Sequence, residues 1–326
     1  YGLIAYTLDG KPRWQTPLGP FNNIYGMGAS PVIAGDMLVL VCDQSVGSFA
    51  VGAAKSSGKI RWRNERPDAL SGHSTPAVVG KLVIAPASFR VDAYDAKSGE
   101  VVWFARGLPS EMKSLPVVDG DTVYISGFSS PDNDPGKQIK LPPYDELIAK
   151  VDKNGDGQMS IEESPDAKIK MYFPFADLSA DGRVNREEWA KFQAMMSAEN
   201  ALIAFRMGAQ GDITASGMKW KYQRAVPQLP SVVSYRGVLY MVNDSGVLTT
   251  LDPATGKALK TARVRGISDN YYASPVAADG KVIFVSLNGR ITVLKAGGDQ
   301  EVLSKSDLDE QVYGTPAIAD GRIYLR

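Results

Sequence analysis

Two twelve-residue stretches concentrate the chemistry of this 326-residue chain: DKNGDGQMSIEE at 152–163 and DLSADGRVNREE at 177–188. In the first, Asp152, Asn154, Asp156, Gln158, Ser160 and Glu163 stand at positions 1, 3, 5, 7, 9 and 12. In the second, the same positions hold Asp177, Ser179, Asp181, Arg183, Asn185 and Glu188. Calcium takes about six to eight oxygens: side chains at alternate positions, a main-chain carbonyl, and a carboxylate that grips with both oxygens at the end. Gly157 and Gly182 fall where the loop must turn sharply, and Met159 and Val184 where paired loops touch. One such match carries little weight; two in tandem carry much more. The pattern predicts two Ca²⁺ sites, with Gln158 and Arg183 contributing carbonyls.

Loops of this kind sit between helices. YDELIAKV (144–151) leads into the first, and REEWAKFQAMM (186–196) leaves the second with Trp189, Phe192 and Met196 on one face. Only 13 residues separate the loops, so one short helix within SPDAKIKMYF serves both, with Pro165 near its start and Pro174 ending it. The unit resembles a compact EF-hand pair, with calcium in a structural or buffering role rather than as a switch. Residues 131–200 hold 14 acidic and 9 basic side chains, so acidity gathers where two Ca²⁺ ions would compensate it. Over the whole chain Lys+Arg and Asp+Glu are 36 each, which argues against a nucleic-acid partner.

The rest of the chain repeats. A hydroxyl or small residue, a proline, two apolar residues and a Gly turn recur in SPVIAGDMLVLV (30–41), TPAVVGKLVIA (75–85) and LPVVDGDTVYIS (115–126). They return in SVVSYRGVLYMV (231–242), SPVAADGKVIFVS (274–286) and TPAIADGRIYLR (315–326). A second phrase follows each: an alternating strand, a Gly turn and often a Trp, as in SFAVGAAKSSGKIRW (48–62), VDAYDAKSGEVVW (91–103) and LTTLDPATGKALK (248–260). Alternation between Gly turns predicts strands, two hairpins per unit, and six units of about 42 residues read as an all-β propeller of four-stranded antiparallel blades. Trp14, Trp62, Trp103 and Trp220 share a fourth-strand position and are expected to pack between blades. The chain therefore divides into propeller at 1–127, a helical insert with a Pro/Gly-rich linker at 128–200, and propeller at 201–326.

These motifs resemble the pyrroloquinoline-quinone-like repeat propellers, whose signature is similar to VDAYDAKSGEVVW and LTTLDPATGKALK. That family includes outer-membrane assembly factor lipoproteins and quinoprotein dehydrogenases. The resemblance implies a bacterial periplasmic or extracellular setting and an eight-bladed ring, in which Tyr1 is an internal residue. The other reading of the termini joins 1–14 and 315–326 into one closing blade.

Segments entering the inner strands share a face with the insert. They place Tyr25, His73, Lys113, Gln228, Tyr271, Tyr272 and Tyr313 around the channel mouth, a candidate ligand site. His73 is the only histidine and reads as loop packing, Cys42 the only cysteine and reads as a buried thiol, and the basic run RWRNER (61–66) reads as a solvated outer strand. No catalytic constellation stands out, and no apolar run is long enough to span a membrane. The resulting expectation is a calcium-stabilised, exported, non-catalytic scaffold for a protein or glycan partner. The alternative implied by the resemblance is a quinoprotein oxidoreductase holding pyrroloquinoline quinone at the mouth, against which stand the single cysteine and the absence of tryptophan from the mouth segments.

Overall fold

The computed structural model describes residues 2–263 and 269–326; Tyr1, where the first propeller segment begins, lies outside them. Among the described residues, five complete antiparallel blades form. The first is built from Val32–Ala34, Met37–Cys42, Phe49–Ala54 and Ile60–Glu65. The others follow the same order, and the second gains a fifth strand, Gly211–Asp212, which runs parallel to Val101–Arg106. Two-stranded sheets stand at either end, Gly2–Tyr6 with Pro12–Pro17 and Ala317–Ala319 with Arg322–Tyr324. Among the described residues each is hydrogen-bonded by itself, and the two pairs are not joined in a single closing blade.

The hydrophobic pattern explains the layering. Second and third strands are sandwiched between neighbouring blades and read as continuous apolar runs: every residue of Phe49–Ala54 and of Thr122–Gly127 is buried. Fourth strands lie outside and alternate, as in Ile60–Glu65. The innermost strands are only three residues long and neighbour one another in chain order around a common axis.

The repeated hydroxyl before proline has a visible purpose. The amide of Ser30 donates to Thr75 Oγ1 at 2.9 Å, that of Ser231 to Ser274 Oγ at 2.8 Å, and that of Ser274 to Thr315 Oγ1 at 3.1 Å. In these pairs one blade hands an amide to the same position of the next. Leu115 has no hydroxyl to offer, but its own amide still reaches Ser231 Oγ at 2.9 Å, and the neighbouring Ser74 hydroxyl donates to the Ser114 carbonyl at 2.7 Å.

Trp and Gly form the second latch. Trp14 Nε1 donates to the Lys55 carbonyl at 3.1 Å, Trp62 to Ala96 at 3.0 Å and Trp220 to Pro253 at 3.0 Å. Each indole lies across the Gly turn of the next blade: a Cβ on Gly58, Gly99 or Gly256 would come within 2.3, 2.6 or 2.4 Å of Trp14, Trp62 or Trp220. Those glycines also have positive φ, which a Cβ disfavours. Trp103 departs from this scheme. It pairs with Gly211 of the added strand, packs with Ile213, and its buried Nε1 has no partner. Gly256→Ala is expected to destabilise the protein by about 1–3 kcal/mol through overpacking and backbone strain, read from denaturant unfolding.

The helices lie between paired strands of one blade. Gly127 pairs directly with Ala201, so the polypeptide leaves and rejoins that blade at one point. Helix α1 spans Tyr144–Val151, α2 Ala167–Ala176 and α3 Arg186–Ser197. Asp166 caps α2 by accepting from the Ile169 amide, and Asn185 with Glu188 forms a capping box on α3. Pro174 does not end α2, which continues to Ala176; a proline in the last turn forfeits only one backbone bond, to the Lys170 carbonyl. Tyr144, Leu147, Met159, Phe173, Trp189 and Phe192 give the helical unit a core of its own. Among the described residues, no helix is long and apolar enough to cross a membrane.

Candidate functional site

The two twelve-residue loops adopt one geometry. Asp152 accepts from the amides of Gly155 (2.7 Å) and Gly157 (2.9 Å), while Asp177 accepts from Asp181 (3.1 Å) and Gly182 (2.9 Å). At the far end Glu163 receives the amides of Lys153 and Ser160, both at 2.9 Å, and Glu188 those of Ser179 (2.9 Å) and Asn185 (3.0 Å). The backbone bonds from Ser160 and Lys153 hold Glu163 down to about 2. Gly157 and Gly182 have positive φ, as does Ala180 at a position where the first loop has Gly155. The loops are joined by Met159 pairing with Val184, both fully buried, and by the Tyr144 hydroxyl donating to the carbonyls of Gly157 and Val184. Arg183 reaches across to Asp156 at 3.0 Å.

In this arrangement the carboxylates turn onto the loop amides. Among the described residues, no three His, Cys, Asp or Glu side chains converge as a ready-made metal cluster. The donor set is instead mixed. Each loop presents three carboxylates, further oxygens from Asn154 and Ser160 or from Ser179 and Asn185, and one central carbonyl. All are hard oxygen donors suited to calcium.

The mouth residues separate into three groups. Tyr25, His73, Lys113 and Gln228 gather beneath the helices, where Tyr25 stands 6.0 Å from His73 and 6.4 Å from Phe175 between ring centroids. A cavity of about 130 Å³ opens there between Tyr25, Glu111, Lys113 and Gln228 on the propeller and Tyr172, Phe175, Phe192, Met195 and Met196 on the helices. A smaller one, about 30 Å³, lies under Pro174 and Phe175 beside His73. Tyr272 and Tyr313 form a separate pair 6.1 Å apart. Tyr271 is no mouth residue: it is fully buried in the core between two blades, with its hydroxyl unpartnered. Adjacent tyrosines on an extended segment point to opposite sides, so only Tyr272 can face outward.

Charge within the cleft is internally matched. Lys113 pairs with Glu111, both largely buried. Burial and then the Lys113 charge lower the His73 pKa, only partly opposed by Asp43, which favours the neutral imidazole. Sequence reasoning missed Glu111, Asp244 and the helical side chains Tyr172, Phe175, Met195 and Met196; the helical ones come near only through how the insert folds back, which no local pattern records. Asp244 accepts from the Gln228 amide at 2.9 Å, its other oxygen is buried without a partner, and burial raises its pKa. A carboxylate held above its ordinary range contributes fully in acid and loses that contribution as pH rises. Asp244→Asn is therefore expected to raise the Tm at pH 7–8 and to lose the advantage toward pH 4, as measured by paired melts across pH.

A buried ion network joins the first two blades. Arg66 pairs with Asp43 at 2.7 Å, each side chain 2% exposed, lies 3.5 Å from Asp92 and donates to the Tyr94 hydroxyl at 2.8 Å. This corrects the reading of RWRNER as a uniformly solvated face: its last residue turns inward. Arg90 completes the balance by pairing with Asp92 at 2.6 Å. Cys42, beside Asp43, is fully buried, and burial raises its thiol to about 12.

Comparison with known proteins agrees with this architecture. No curated protein sequence matches the chain. The structure is similar to BamB from Moraxella catarrhalis, with TM-score 0.60 and 14% identity over 99% of this chain and 72% of that one. It is also similar to quinohemoprotein alcohol dehydrogenase from Comamonas testosteroni, with TM-score 0.51 and 12% identity over 86% of this chain and 43% of that one. At such identities the likeness is one of fold. The family described as outer membrane protein assembly factor BamB matches residues 2–134 and 178–326, and the chain belongs to that family of PQQ-like repeat β-propellers.

Proposed function

We propose that this chain is a non-catalytic binding scaffold of the bacterial cell envelope, periplasmic or outer-membrane-associated, that engages a protein or glycan partner through its channel-mouth face. The observation that carries the reading is the family membership, which covers the propeller on both sides of the insert. The family description names outer-membrane protein assembly, and a partner-binding scaffold fits that work. We further propose that the insert is an EF-hand pair holding two Ca²⁺ ions. Asp152, Asn154, Asp156, the Gln158 carbonyl, Ser160 and Glu163 would hold one, and Asp177, Ser179, Asp181, the Arg183 carbonyl, Asn185 and Glu188 the other. Support comes from the matched loop geometry, the paired Met159 and Val184, and the left-handed glycines at the sharp turns. The ion would supply structural charge neutralisation, which exported proteins obtain readily because extracellular calcium fills even weak sites.

The alternative, a quinone-dependent oxidoreductase, draws on the fold shared with the Comamonas testosteroni enzyme. Against it, Trp14, Trp62 and Trp220 are engaged with neighbouring blades, Trp103 is buried between blades, and Trp189 belongs to the helical core. Calorimetric titration of calcium-loaded protein with pyrroloquinoline quinone separates the two readings. The scaffold predicts no heat, whereas tight one-to-one binding would overturn it and direct attention to alcohol or sugar substrates.

A further inference from the structure

The helices over the channel mouth are anchored on the loops that the proposed calcium ions would occupy. α2 begins at its cap Asp166, three residues after Glu163, and ends on Asp177, whose amide donates to the Phe173 carbonyl. Both boundaries of α2 therefore lie at or beside proposed ligands. From its last turns Tyr172 and Phe175 reach the cleft, and Phe175 meets Tyr25 of the propeller. α3 starts with Asn185 and Glu188, both proposed ligands, and supplies Phe192, Met195 and Met196 to the same cleft.

The far end of α3 is fixed to the linker, which is itself tied to the propeller by the Ser110 amide donating to Ser129 Oγ at 3.1 Å. Asn133, almost fully buried, donates to the carbonyls of Met195 and Ala198 at 2.6 Å each. Asn200, fully buried, donates to the Ser130 carbonyl at 2.7 Å and accepts from the Ser129 amide at 2.8 Å. Ser129, Ser130 and Asn133 themselves line the cleft. One side of the cavity is thus blade and the linker bonded to it, and the other is two helices anchored on the twelve-residue loops.

We infer that the mouth site is a composite cleft with a propeller floor and a helical roof, and that calcium in the insert loops orders this roof and the propeller loops touching it. This rests on the calcium reading and extends it to the mouth: the ion acts as a structural clamp whose effect crosses from insert to propeller. A change at one site that stiffens groups shared with another couples the two, and the coupling is reciprocal.

The test uses the full chain and the metal alone. Amide hydrogen exchange is measured in chelator and in saturating calcium, with bound calcium counted in parallel. The expected result is two ions bound and exchange slowed about tenfold not only in 152–188 but also at 23–28 and 110–114 on the propeller. In Phe175→Ala, and in Tyr25→Ala on the exposed propeller loop, two ions should still bind while slowing at 23–28 disappears. If two ions bind and protection stays within 144–197, the coupling is overturned and the calcium sites stand. If no ion binds, the calcium reading falls and the inference falls with it.

Discussion

Arg66→Ala is expected to cost about 3–5 kcal/mol of folding stability, because removing one partner of a buried ion pair strands the other. Two carboxylates face the guanidinium: Asp43 at 2.7 Å and Asp92 at 3.5 Å, the former with a side chain only 2% exposed. Arg90 still covers Asp92, so the loss falls mainly on Asp43. Water reaches this site poorly, and Tyr94 and the carbonyl of Pro86 would also lose a donor. The double variant Asp43→Asn with Arg66→Met removes both charges and should recover much of the loss. Urea unfolding of the two variants checks this. A cost below about 1 kcal/mol for Arg66→Ala, the scale of surface ion pairs, would show that the network is solvated after all.

Replacing Asp152 and Asp177 together by alanine is expected to abolish stabilisation by calcium. A ligand present at about 100 times its dissociation constant stabilises the native state by about 2.7 kcal/mol per site, so two filled loops make a large contribution. In chelator the variant should lie close to the parent, with a small residual loss because Asp152 and Asp177 also accept loop amides without metal. Melting curves of both proteins with and without calcium distinguish the outcomes. An equal loss under both conditions would mean that these carboxylates serve only the loop backbone.

Much of this molecule is legible in its sequence because the relevant interactions are local or repeated. The Gly turns, the alternation and the hydroxyl before proline recur with the blade period, and the structure uses each once per blade or nearly so. The helices at Tyr144–Val151 and Arg186–Ser197 follow from apolar spacing, and the second also from its Asn185–Glu188 capping box. What escaped was non-local. Arg66 follows an outer strand and looks solvated until Asp43, 23 positions earlier, is brought against it. Tyr271 and Tyr272 carry the same chemistry in sequence, and only the direction of the segment buries one fully and leaves the other half-buried. Trp103 shares the phrase of its counterparts but meets Gly211 and Ile213, because the chain following the insert adds a strand beside it. The cleft itself joins Tyr25 to Phe175, a pairing that the repeat period cannot reveal.

The most direct test of the central claim is a calorimetric titration of the chelator-stripped full chain with calcium. Two ions bound per chain, reduced to one by Asp177→Ala and to none by the double variant with Asp152→Ala, is the predicted result. No calcium-dependent heat at millimolar ion would contradict the claim and leave the insert as a purely protein-held cover on the propeller.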